Sequence, residues 1–153
     1  MTIAEEIRSA LVANIDEGYR DFHAKLVPTI DRRGFLACGC RHSALSRKAF
    51  KKDARLPGFL AMTAHDYVEE INVHGFLVAE ILDARRAWRR STFLPMIDNW
   101  ANCDSFSPKL FKKHPERVET PALAWMQERS QPYTVRFGIN MLMQHCWMLN
   151  FAR

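Results

Sequence analysis

Residues 3–26 read IAEEIRSALVANIDEGYRDFHAKL, and their spacing decides the fold class. Ile3, Ile7, Leu11 and Ile15 recur every fourth position, with Glu5, Glu6, Arg8 and Asn14 between them. That is the period of a helix with one apolar face, not the alternation of a strand. Tyr19, Phe22 and Leu26 continue the stripe until Pro28, which has no N–H to give and stops it.

The same reading extends along the chain. Asp31-Arg32-Arg33-Gly34 is a polar turn, and the basic run from Arg41 to Lys52, with Leu45 and Ala49 four apart, reads as a helix with one buried edge and a cationic outer face. Pro57-Gly58 breaks the chain. Asp66 and Glu69 form a capping pair ahead of Val68, Ile71, Val78, Ile81 and Leu82, predicting a long helix that ends near Arg85–Arg90. Ser91 caps a segment carrying Phe93, Leu94, Met96 and Ile97. Thr120-Pro121 starts another helix, cap then first-turn proline, and Gln131-Pro132 separates it from the one holding Val135 to Met143. The expectation is one all-α domain over residues 1–153, with six or more helices of about three turns joined by short turns.

Composition bounds what such a domain can be. Hydrophobic residues make up 48% and charged residues 25% of 153, which excludes a disordered or fibrous chain. Lys and Arg (22) outnumber Asp and Glu (17), so the surface attracts polyanions on average. Cys38, Cys40, Cys103 and Cys146 are scattered, and the one residue between Cys38 and Cys40 is not the spacing of zinc or redox motifs; they read as free thiols. No apolar run approaches the ~20 residues that cross a bilayer, and the acidic N-terminus is unlike a signal peptide. A cytoplasmic, membrane-free location is expected.

Several segments resemble the DNA alkylation repair (AlkD-like, HEAT-repeat) glycosylase family. They are Gly39-Cys40-Arg41-His42-Ser43-Ala44-Leu45, then YVEEINVHGFL from Tyr67, FLPMIDNWANCDSFSPKLFKK from Phe93 to Lys113, and YTVRFGINMLM from Tyr133 to Met143. The resemblance implies a curved solenoid of HEAT-like helix pairs with a basic concave face for duplex DNA. It also implies an activity, release of N3- or N7-alkylated purines, by a protein that grips the backbone around a lesion and leaves the base exposed. It implies no cofactor and no metal, alkylated double-stranded DNA as partner, and a monomer. Family members continue for several more helices, so the tail from Gln144 to Arg153 reads as a C-terminally incomplete solenoid.

In that family a tryptophan and an aspartate at this spacing sit against the deoxyribose of the damaged nucleotide. The resemblance carries those roles onto Trp100 and Asp104, one helical turn apart, and the role of site arginine onto Arg136. Taken singly, Trp100 reads as a core aromatic, Asp104 as a turn carboxylate and Arg136 as a surface ion-pair partner; the joint pattern sets them apart. Arg41, Lys48, Lys109, Lys112 and Lys113 are the expected DNA contacts, the bland alternative being solvated helix faces. Glu70 and His74, at i and i+4, read as a structural hydrogen-bonded pair instead of metal ligands. Two rival readings stand beside the glycosylase: a non-catalytic DNA-binding or scaffold protein of the same fold, and an inactive truncated fragment.

Overall fold

The structure, a computed structural model, describes residues 1–36, 38, 48–80 and 93–145. The segment Gly39–Leu45, Arg41 within it, the end of the long helix at Ile81–Arg90, the Ser91 cap and the tail from Cys146 lie outside the described residues. Among the described residues the fold is all-α, with no strand; besides a helical turn at residues 48–50 it has eight helices. They are α1 (Ile3–Val12), α2 (Glu17–Leu26), α3 (Leu56–Leu60), α4 (Val68–Glu80), α5 (Trp100–Asp104), α6 (Lys109–Lys113), α7 (Glu119–Met126) and α8 (Pro132–His145). Short 3-10 turns cover Arg32–Gly34, Leu94–Met96 and Pro115–Arg117.

The opening stripe becomes two helices instead of one. Thr2 accepts from the Glu5 N–H at 3.2 Å while Glu5 accepts from the Thr2 N–H at 2.7 Å, a reciprocal cap that contributes about 1 kcal/mol. Ile3, Ile7 and Leu11 are buried, but α1 ends at Val12 and Asp16 caps α2 anew, accepting from Tyr19. The break rotates the register. Ile15, Phe22 and Leu26 face outward, and the buried residue of α2 is His23, packed between Tyr19 and Phe35.

Other boundaries also move. Pro57 and Gly58 do not break the chain; they lie inside α3, where a first-turn proline lacks only an N–H that the helix could not have used. α7 begins at Glu119, so Thr120 is helical instead of a cap. α3, α5 and α6 have five residues each, well short of three turns.

α4 is the centre of the molecule. Ile71 and Val78 enter a core with Phe93, Phe106, Phe111, Phe137 and Met141. Val73 and Leu77 enter a second core with Ile3, Ile7, Leu11 and Phe59, and Val68 joins Val27 and Phe35 in a third. A helix apolar on several sides is one that neighbours surround. Its buried polar side chains each tie it to another segment, as burial without partners would be costly. Glu69 accepts from the Leu36 N–H at 2.9 Å, and Asn72 accepts from Asn102 at 2.9 Å. His74 meets His65 at 2.9 Å between the rings of Phe59 and Phe93.

The N-terminus of α4 is capped by a different residue from the one expected. Glu70, not Glu69, accepts from the Asp66 and Tyr67 N–H groups, at 3.1 and 3.3 Å. Its carboxylate also takes Arg8 Nε at 2.6 Å, while Arg8 reaches Asp66 and lies 5.1 Å from the Tyr67 ring centre. Glu70 and His74 therefore belong to separate networks, not to a shared pair.

Candidate functional site

α5 is too short to hold itself, and the residues of the segment DNWANCDSFSPK explain how it is held. Asn99 caps it, accepting from the Asn102 N–H at 2.9 Å. The Asn99 and Asn102 side chains are fully buried and bonded to each other. Asn102 then donates to Asn72 Oδ1 and to the Val68 carbonyl on α4. Cys103 is buried on the same inward side and donates to the Tyr133 carbonyl at 3.5 Å. Burial pushes its thiol up to about 12, helped by the charge of Asp104, so it is no nucleophile at neutral pH.

With Asn102 and Cys103 turned inward, Trp100 and Asp104 are turned outward. Trp100 is 42% exposed, which removes the core-aromatic reading, and its indole Nε1 donates to the Leu26 carbonyl at the end of α2 at 3.1 Å. Asp104 is met by α8. Arg136 Nε and Nη2 bond its two oxygens at 2.9 and 2.5 Å, and Asn140 Nδ2 donates to Oδ1 at 2.6 Å. Arg136 holds the Asp104 carboxyl below the ordinary carboxylate range, with Asn140 adding to the effect, and Asp104 in turn raises Arg136.

Of the residues singled out from the sequence, Asp104 and Arg136 thus meet at the surface, and Trp100 stands exposed one turn before Asp104 on α5, tied to the end of α2. Arg136 is an ion-pair partner, as the bland reading had it, but the partner is Asp104 itself. Asn140 was missed. Its signal was available, since it lies four residues after Arg136 on the same helix face.

The basic residues are distributed differently. Lys109 is bound to Glu80 at 2.7 Å and is partly neutralised. Lys112 and Lys113 are exposed in the last turn of α6, and Lys112 lies near enough to His145 to disfavour its imidazolium, whose proton affinity burial already lowers. Lys48 is exposed, and Arg41 lies outside the described residues.

A recess of about 380 Å³ is lined by Asp21, Ala24, Lys25, Pro28, Ile30 and Arg32. Neither Trp100 nor Asp104 lines it, so the candidate site is not that recess. Among the described residues there is no group of three or more side chains arranged to hold a metal ion, and no helix long and apolar enough to cross a membrane. No family model, curated protein or solved structure matches this chain.

Proposed function

We propose that this chain acts in DNA alkylation repair, as a monofunctional glycosylase that hydrolyses the N-glycosidic bond of N3- or N7-alkylated purines in duplex DNA. Its helices would pair in the manner of HEAT repeats; the close packing of consecutive helices α7 and α8 supports this, with Gly138 so near α7 that a Cβ there would stand 2.7 Å from the Ala122 carbonyl oxygen. The observation that carries the reading is the joint exposure of Trp100 and Asp104, one turn apart, with the carboxylate held by donors from a second helix.

The chemistry asked of such a site is modest. An N3- or N7-alkylated purine already carries positive charge, so it leaves as a neutral base with the electron pair of the C1′–N bond and needs no general acid. Positive charge develops on the deoxyribose, and water adds at C1′ and releases a proton to solvent, leaving an abasic site. Asp104, kept ionised by Arg136, supplies fixed negative charge where the cation forms. The Trp100 face adds cation–π attraction of about 0.5–2 kcal/mol. Arg136 bonds Asp104 through Nε and Nη2, which leaves Nη1 as the nitrogen to meet a phosphate. Lys48, Lys109, Lys112 and Lys113 are the proposed backbone contacts.

A second reading is a non-catalytic duplex-binding protein of the same fold. The fork between Arg136 and Asp104 favours it, because a guanidinium that cancels the carboxylate weakens the charge available to a substrate. The deciding experiment is base release from methylated duplex DNA by the wild-type chain and Asp104→Asn. Release above spontaneous depurination, abolished by the substitution, supports the glycosylase. No release, with equal affinity for damaged and undamaged duplex, selects the second reading.

A further inference from the structure

The bonds to Asp104 are unevenly shared between its two oxygens. A carboxylate oxygen has two in-plane acceptor positions. Oδ1 fills both, with Arg136 Nε at 2.9 Å and Asn140 Nδ2 at 2.6 Å, whereas among the described residues Oδ2 is bonded by Arg136 Nη2 at 2.5 Å, with the Cys103 thiol adding a weak contact to the carboxylate. Arg136 sets the plane of the carboxylate, but its side chain is long and 48% exposed. Asn140 is short and half-buried, and it comes from the same face of α8 one turn further on.

We propose that Asn140 is a positioning residue for Asp104: its amide saturates one carboxylate oxygen, so that the other is the one left to meet a substrate. Arg136 and Asn140 then have different tasks. The guanidinium fixes the plane, and the amide decides which edge of that plane stays free. A group developing positive charge, or a water to be oriented, meets one oxygen in one direction. The inference rests on the proposed role of Asp104 as the charge-stabilising group.

Two substitutions of similar shape test it in the full chain. Asn140→Leu removes the donor, and Asn140→Asp replaces it with a repelling charge. Three quantities are read for each: the carboxyl titration of Asp104 by carbon NMR, the single-turnover rate of base release from an N7-methylguanine duplex, and duplex affinity. Loss of a hydrogen bond to a charged group predicts a rate lower by about tenfold or more. Duplex affinity should change by less than about twofold, because the proposal places Asn140 on Asp104 and not on a phosphate. The titration midpoint of Asp104 should rise in Asn140→Leu and rise further in Asn140→Asp.

The proposal is overturned if the midpoint stays where it is in both variants. It is equally overturned if the rate falls only in step with thermal stability, as a merely structural tie between α5 and α8 would require. Should the wild-type chain release no base while the midpoint moves in the stated order, Asn140 positions Asp104 as proposed and the glycosylase reading fails instead.

Discussion

Arg136 grips both carboxylate oxygens of Asp104 across a sequence separation of 32 residues, and the pair stands at the surface with side chains 48% and 36% exposed. An ion pair that wet contributes only about 0–1 kcal/mol to folding. The same contact governs the charge, the plane and the reach of the carboxylate one turn after Trp100 on α5. In the proposed function it therefore bears on chemistry far more than on stability.

Asp104→Asn and Arg136→Lys should accordingly separate activity from folding. The first keeps the shape and removes the charge; the second keeps the charge and removes the fork. Both should unfold within about 1 kcal/mol of wild type in urea, while Asp104→Asn loses base release and Arg136→Lys is strongly impaired. A large stability loss in either would mean that the pair is a structural tie.

The proposed duplex binding should be salt-sensitive, and the exposed Lys112 and Lys113 of α6 should carry part of that sensitivity. Each phosphate contact removed lowers the slope of log K against log salt by about 0.9. Lys112→Gln and Lys113→Gln should each reduce it, whereas Lys109→Gln should do less because Glu80 already opposes that charge. Binding isotherms at several salt concentrations decide this. Unchanged slopes in the first two variants would return these lysines to an ordinary solvated helix face.

Gly75 predicts a packing limit at the centre of the fold. A Cβ there would stand 2.5 Å from the ring ends of both Phe93 and Phe106, whose centroids are 4.8 Å apart in an edge-to-face pair. Gly75→Ala should cost about 1–3 kcal/mol despite the better helix propensity of alanine. Urea unfolding measures it, and a neutral or stabilising result would show that these rings have room to turn.

His74 predicts acid sensitivity. Burial, then the neighbouring His65, pushes its imidazole down to about 3, so it is neutral in the folded chain at neutral pH. The groups facing the pair are Glu70, Asp66 and Arg8, each of which acts on His65. Because the folded value lies below that of an unfolded histidine, the unfolded state binds more protons between about pH 6.5 and pH 3. The stabilisation is fully present above that window and is lost as pH falls through it, by up to about 1.4 kcal/mol per pH unit for each proton taken up. His23, His65 and His145, each also lowered first by burial, act in the same direction. Stability measured against pH should show this slope, reduced in His74→Phe.

Helical character was legible in the chain because period alone encodes it. Ile3, Ile7 and Leu11 are core, and Gln131-Pro132 does mark the start of α8. Phe22 and Leu26 show where that legibility ends. They continue an apolar stripe in the sequence, yet the cap at Asp16 restarts the helix in another register and turns them to solvent. α4 was harder still, since a helix surrounded by neighbours loses the one-sided pattern that marks a surface helix, and its buried Glu69, Glu70, Asn72 and His74 look polar until their distant partners are known.

For the candidate site, the sequence by itself determined which residues can share a helix face: Trp100 with Asp104, and Arg136 with Asn140. Only the tertiary structure decided that the two faces meet, that the arginine belongs to the aspartate, and that Glu80 answers Lys109. The reason is physical. Spacing within a helix follows from backbone geometry, which every residue carries locally, whereas the pairing of helices depends on which buried surfaces fit, and here a chain of asparagine amides and one close approach at Gly138 set that fit.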